Sequence, residues 1–387
     1  MRIAVLFDLT SPEMGGSYSF NKLIFDSLAK NKSEYNHEFL TVYENRNSVG
    51  ESPDIALPGR IRYRLDFLKS LLSQIGLGKF LKRGISVETC RGASLHSILK
   101  KNAIDVLWAV QPLGVQVGIP YLTTSWDISH RITPYFPEVS SSGAQMLKRE
   151  KVCKTVFFGA FRLIVGTNRG KQEITSAYGV NEERILVNPF PVDFARALPS
   201  VSRTSTQVIY PANFWPHKNH VILVKALSLL NERSTSKIKL VLTGSDKGSL
   251  KAIMTLVTSL GLQNFVDFPG FVSKLELEKL YSSSGLLVFP SLIGPDNLPP
   301  LEALAFGCKV AVADIPGARE QFGGFASYFN PYSAHDLADV IEKNLMSDSP
   351  AFNFVELGSF LEERSADRYL RLVVEEIEKL NHIIDFI

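Results

Sequence analysis

Two short segments carry the residues best suited to chemistry. In FPSLIGPDNLPPLEALAFGCKVAVAD, from Phe289 to Asp314, an apolar run that reads as a strand ends in a Gly-Pro-Asp-Asn loop. Pro299 and Pro300 then open a helix, where their missing N–H groups cost nothing. Gly307 stops that helix before the next apolar run. Free backbone amides are expected around Asn297 and Leu298, with the positive end of the helix dipole behind them, an arrangement that suits a diphosphate. Glu302 is expected in the first turn, where it either accepts hydrogen bonds from ribose hydroxyls or merely complements the dipole. The second segment, YPANFWPHKNHVILVKAL, places Pro216-His217-Lys218-Asn219 between a strand and a helix. Lys218 there is either a mobile point charge for a phosphate or a solvated surface lysine.

Such residues need elements to hold them. Short apolar runs (RIAVLFD, HEFLTVYE, DVLWAV, YLTTSWD, RLIVGTN) alternate with longer stretches of helical period, which predicts βαβ units and a parallel sheet covered on both faces. The pattern breaks between Asn188 and Gln207, where three prolines and a Ser/Thr cluster read as a linker. It restarts with QVIYPAN and continues to KVAVAD. The reading is therefore two α/β, Rossmann-like domains, residues 1–190 and 191–366, followed by a helix over residues 367–387 that packs against protein. Two such domains facing each other form a cleft, and ligands of open parallel sheets bind at the carboxyl ends of the strands.

Composition narrows the alternatives. With 387 residues, 45% hydrophobic and 21% charged, the chain is of ordinary globular make-up and large enough for two cores. A formal charge of +3 is too small for a global nucleic-acid footprint. Cys90, Cys153 and Cys308 lack the spacing of a disulfide framework or zinc site, so a cytoplasmic location is expected. The most apolar later stretch, TVFFGAFRLIVG, is interrupted by Arg162 and is far short of the roughly 20 residues of a spanning helix. No Gly-x-Gly-x-x-Gly follows the first strand, which disfavours an NAD-dependent oxidoreductase.

Together the segments resemble family 4 of the glycosyltransferases nearly end to end. The resemblance is carried by Gly15-Gly16, TSWDISHRITPYFPEVS, YGVNEERILVNPFPV, the PHKN motif, LVLTGSDKG, GFVSKLELEKLYSSS, PSLIGPDNLPPLEALAFGCKVAVADIPGAREQFG and the final helix. It implies the GT-B fold, the final helix crossing back to the first domain, and transfer from a nucleoside-diphosphate sugar with retention of configuration. It further implies that Lys218 binds the donor diphosphate, Glu302 the donor ribose, and Asn297 and Leu298 the phosphates through main-chain amides. Gly15 and Gly16 would let the first domain's loop approach the donor closely. Gly244, Ser245, Phe271 and Val272 would lie near the nucleoside, although Phe271 and Val272 read equally well as core residues.

The sequence departs from the family in three places. A glutamate common seven residues before the ribose-binding acid is Gly294 here, which leaves sugar recognition to Asp296, Asn297 or backbone groups. An arginine common five residues before the PHKN lysine is Asn213, and a common His-Asp pair is Trp126-Asp127. In this setting Asp127 would orient or deprotonate the acceptor hydroxyl. His130 would contact the acceptor or a phosphate, or be structural, and Glu320 reads best as a dipole-complementing acid. No metal is expected, because the chain shows no acidic cluster for a divalent cation.

From Arg60 to Lys101 ten basic residues accompany only two acids, interspersed with apolar ones. That stretch is either a solvated helical hairpin or a peripheral contact with an anionic membrane or a polyprenyl-diphosphate-linked acceptor. The expected activity is glycosyl transfer to a glycan or lipid-linked glycan in surface polysaccharide or O-antigen-like synthesis. A catalytically silent nucleotide-sugar binder and a GT-B-fold epimerase are the alternatives.

Overall fold

β1 (Arg2–Phe7) sets the pattern for the first half of the chain. Its residues alternate between the two faces of a sheet and are nearly all buried, because both faces are covered. Ile3, Val5 and Phe7 pack on one side with Phe20, Ile24 and Leu28 of the helix Gly16–Asn31, while Ala4 and Leu6 face Leu99, Leu163 and Ile174 on the other. The computed structural model describes residues 1–9, 16–43, 54–55, 95–140, 143–193, 204–233, 237–347 and 353–384. Gly15, Cys90, the 194–203 connection and most of the basic stretch, residues 60–94, lie outside the described residues.

The first sheet consists of β1, β2 (Glu38–Tyr43), β3 (Val106–Ala109), β4 (Tyr121–Thr124), β5 (Arg162–Val165) and β6 (Ile185–Val187), in the order β2-β1-β3-β4-β5-β6. The second holds β7 (Thr204–Pro211), β8 (Lys239–Thr243), β9 (Val266–Gly270), β10 (Ser284–Phe289), β11 (Lys309–Ala313) and β12 (Ser327–Phe329), in the order β12-β11-β10-β7-β8-β9. All pairings are parallel. In the second sheet the direction of winding reverses between β7 and β10, so the loops after these two strands flank the crevice where open α/β sheets take ligands.

The last helix, Ala366–Ile384, crosses back onto the first domain. Tyr369, Leu370, Val373, Val374 and Ile377 enter the core around β1 and the Gly16–Asn31 helix. Asp367 accepts hydrogen bonds from Ser27 Oγ (2.6 Å) and Asn31 Nδ2 (2.8 Å), and Arg162 pairs with Glu376 at 2.6 Å. Among the described residues no helix is long and apolar enough to cross a membrane. The apolar stretch around Phe157 divides into a helix ending at Gly159 and β5, which begins at Arg162.

Candidate active site

The PHKN motif forms a tight turn after β7. Pro216–Lys218 is a single 3-10 turn, and Asn219 follows with φ 55°, a left-handed conformation that asparagine tolerates better than most residues. Buried Tyr210 donates to the Lys218 carbonyl at 2.8 Å, and Leu292 N–H donates to the His217 carbonyl at 2.9 Å. The loops after β7 and β10 are thus tied together at the crevice. Lys218 Nζ lies 3.4 Å from Ser291 Oγ and 4.9 Å from the centre of the Phe289 ring, with no carboxylate in ion-pair contact among the described residues. Burial lowers its pKa to about 8, against the pull of Asp127 and Glu138.

The helix Leu298–Ala305 begins where the sequence places it, with Asn297 as N-cap and Pro299 in its first turn. Its end is a thinner anion cradle than expected. Gln321 Oε1 accepts from Asn297 N–H at 2.9 Å, and Gln321 Nε2 donates back to Asn297 O at 3.1 Å. With Pro299 and Pro300 lacking donors, the Leu298 N–H is the one amide left among the four that a helix start offers. The side chain of Leu298 packs against the cores of both domains. Glu302 lies in the second turn rather than the first, too far in to act mainly on the dipole. Burial raises its pKa, against the hydrogen bond that Tyr281 Oη donates to Glu302 Oε2 at 2.9 Å.

On the opposite wall, Asp127 follows β4. It accepts from Ser129 N–H at 2.7 Å and from Arg149 Nη2 at 2.9 Å. Burial opposes ionisation, but Arg149 and Ser129 outweigh it and hold the carboxyl below its usual range. His130, expected in the cleft, is fully buried under it instead. Its Nε2 meets Tyr178 Oη at 3.0 Å and Glu150 Oε2 at 3.3 Å, a cluster closed by the Arg131–Glu150 ion pair. Burial, and then Arg149, lower its pKa, so the ring is a neutral structural group. In the short helix Ser129–Ile132, His130 falls on the face turned away from the cleft.

Other candidates fall in different surroundings. Asp296 turns to the first domain: a Cβ on Gly166 would stand 2.1 Å from Asp296 Oδ1. Burial, and then Glu320, raise the pKa of Asp296 to about 8. Gly166→Ala is therefore expected to cost about 1–3 kcal/mol by overpacking, read from the midpoint of urea unfolding; an unchanged midpoint would mean that Asp296 swings aside freely. Gly244 is required by close packing, since a Cβ there would lie 2.3 Å from Ala212 O. The Ser245 amide is occupied by Asn213 Oδ1 at 2.9 Å. Phe271 is 47% exposed, which removes the core reading, and Val272 beside it is half-buried. Gly16 starts its helix with open space where a Cβ would be.

Three groups hold the cleft through partners that the sequence does not show. Glu320 complements a helix dipole, but of the other domain. Its Oε1 accepts from Asn168 N–H (2.5 Å), and its Oε2 from Arg169 N–H (3.0 Å), at the start of the helix Asn168–Tyr178. Glu138, from the turn Pro137–Ser140, accepts from His217 N–H at 2.9 Å and contacts its ring. Burial, reinforced by Lys218, lowers the His217 pKa to about 4. The third, Gln321, was described above. No spacing rule links residues 79 or 152 positions apart.

Residues 195–356 match the family described as glycosyl transferases group 1. The chain is 34% identical over 136 residues to the serotype-specific mannosyltransferase WbdA of Escherichia coli, covering 35% of this chain and 17% of that protein. It is 28% identical over 218 residues to the O-antigen chain mannosyltransferase RfbU of Salmonella typhimurium, covering 55% and 58%. The chain thus spans less than two thirds of the length of these relatives. Among solved structures, Anabaena Alr3699/HepE in complex with UDP and glucose superposes with a TM-score of 0.67 at 17% identity, covering 98% of this chain and 100% of that one. Sucrose-phosphate synthase from Thermosynechococcus elongatus gives 0.72 at 14% identity, covering 99% and 100%. The architecture is GT-B: two Rossmann-like domains across a cleft, with a returning C-terminal helix. Within that architecture, part of the chain is similar in sequence to glycosyl transferases group 1 and to the mannosyltransferases WbdA and RfbU.

Proposed function

We propose that this protein is a retaining, metal-independent glycosyltransferase that moves a sugar from a nucleoside-diphosphate sugar to a glycan or polyprenyl-diphosphate-linked acceptor in surface polysaccharide synthesis. The observation that carries the reading is Lys218: a cation held in the crevice between β7 and β10 without a carboxylate partner among the described residues. A diphosphate leaving group supplies the missing anion, and charge that develops on it during transfer strengthens the contact. Leu298 N–H is a further donor, Ser291 Oγ, which itself donates to Ile293 O at 2.9 Å, accepts from Lys218, and Glu302, held by Tyr281, accepts from the ribose. Asp127 faces them and orients the acceptor hydroxyl, whose proton passes to a departing phosphate oxygen. Asp296, Gly16 and the loops carrying Gly244, Ser245, Phe271 and Val272 complete the donor side. The similarity to the O-antigen chain mannosyltransferase RfbU and the serotype-specific mannosyltransferase WbdA supports the pathway.

The test is a screen of GDP-, UDP- and dTDP-sugars with lipid-linked glycan acceptors in the presence of a chelator. Acceptor-dependent release of one nucleoside diphosphate is expected. Donor binding without transfer across the panel would favour a silent binder, and absence of nucleotide binding would sink the site. Glu302→Gln, which keeps an oxygen for Tyr281, is expected to weaken nucleotide binding about tenfold by removing a charged hydrogen-bond acceptor. Calorimetry with the nucleoside diphosphate measures this, and unchanged affinity would remove Glu302 from the ribose.

A further inference from the structure

The cleft continues past Lys218, away from the nucleoside side. Across the second sheet, the candidates after β8 and β9 lie to one side of the β7–β10 crevice. The loops after β10, β11 and β12 lie to the other, and with the first domain they enclose a cavity of about 730 Å3. We propose that this cavity binds the neutral terminal sugars of a carbohydrate acceptor and presents one of their hydroxyls to Asp127. The proposal rests on the transferase reading above.

Position is the first argument. The cavity is lined by Asp127 and by Leu292, Ile293 and Gly294, the loop that holds Ser291 beside Lys218. A ligand filling it borders the diphosphate site without overlapping the nucleoside loops, so that a hydroxyl beside Asp127 can meet the donor on the face of the departing diphosphate, as retention requires. The volume lies within the roughly 300–1,000 Å3 of small-molecule sites.

The walls give the chemistry. Tyr135 of the first domain and Tyr332 of the second both line the cavity, yet they are 72% and 79% exposed. Large rings held out in water from two different domains offer apolar faces for the C–H faces of sugar rings, with hydroxyl groups at their tips. The lining also carries four acids, of which Asp127, Glu173 and Asp314 are paired with Arg149, Arg169 and Arg319. Phosphates and uronic acids therefore find no unpaired arginine among the described lining residues and meet the additional acid Asp336, whereas hydroxyl-rich neutral sugars find acceptors. A lipid diphosphate on the same acceptor must therefore lie outside the cavity.

The Tyr332 loop is held ready. Tyr332 N–H donates to Asn330 Oδ1 at 2.9 Å, and Asn330 N–H donates to Asp336 Oδ2 at 2.6 Å. Asn219 Nδ2 donates to Pro331 O at 3.0 Å, which fastens this loop to the turn that carries Lys218. A binding loop fixed before the ligand arrives loses less entropy on binding.

The experiment uses the full chain, with affinities from saturation-transfer NMR. Neutral α-mannotriose, maltotriose and triacetylchitotriose are compared with anionic trigalacturonate, and GDP and UDP binding is measured in parallel. At least one neutral trisaccharide is expected to bind, and about tenfold more weakly to Tyr332→Ala and to Tyr135→Ala, as for aromatic anchors elsewhere. Trigalacturonate is expected to bind more weakly than its neutral counterparts. Both tyrosines are exposed, so neither variant threatens the fold. Failure of all neutral trisaccharides to bind, equal binding by the tyrosine variants, or preference for trigalacturonate would each overturn the assignment. Nucleotide binding separates the two readings: if it persists while trisaccharide binding fails, the cavity assignment alone falls, and if it is absent, the transferase reading falls with it.

Discussion

Lys218→Ala is expected to lower kcat/KM for the nucleotide sugar by about 10²–10³-fold, the cost of removing one preorganised group from a charge-stabilising site. The fold should survive. Among the described residues the ammonium contacts Ser291 Oγ and the Phe289 ring, and the pull of Asp127 and Glu138 does not outweigh its burial, so the charge is a net cost to the apo protein. Removing it is expected to leave the thermal midpoint unchanged or higher. The pH dependence gives a second readout. With the folded pKa lowered to about 8 by burial, the unfolded chain binds more protons than the folded one between there and the ordinary lysine range. Apo stability contributed by this group therefore rises with pH across that window. Diphosphate affinity moves the other way, falling as pH rises through about 8, and both dependences should vanish in the alanine variant. A folded variant with wild-type kcat/KM would remove Lys218 from the donor site.

The strands that hold the site were legible where they are long and buried on both faces. β1, β10 and the Val208–Tyr210 part of β7 appear as apolar runs because these residues are almost all buried. β6 and β12 did not stand out, since three residues at a sheet edge are too few to show any period. The turn at Lys218 and the helix start at Leu298 were equally readable, because proline and asparagine act locally on the backbone. What escaped is what depends on contacts between distant residues. Nothing near Asn297 shows that Gln321 occupies its amide, and nothing near His130 shows that Glu150 and Tyr178 claim its ring. Asp296, read as a candidate sugar-binding acid, also stands against Gly166 of the other domain, a neighbour that no local pattern shows. The family's departures follow the same logic: Asn213, standing where an arginine is common, holds the Ser245 amide, and Trp126 packs edge-on to Phe20 at 6.4 Å.

Asp127→Asn is expected to lower kcat by about 10²–10⁴-fold, the range lost when a positioned proton-handling group is removed, with donor affinity nearly unchanged. The substitution keeps an oxygen for Ser129 N–H and removes only the charge facing Arg149, a partly exposed ion pair that water can replace. Stability should therefore change little, and the loss can be assigned to the reaction. The environment of Asp127 also limits its role. A carboxylate held below its usual range by Arg149 and Ser129 is a weak base, better suited to orienting a hydroxyl than to taking its proton. The acid limb of the rate profile should consequently fall below the ordinary carboxylate range, where Asp127 becomes protonated. Steady-state kinetics across pH, with donor binding measured separately by calorimetry, test both points. Weakened donor binding with kcat unchanged would place Asp127 on the donor. A rate that begins to fall near neutrality in the wild type and is flat in the variant would show Asp127 acting as the base.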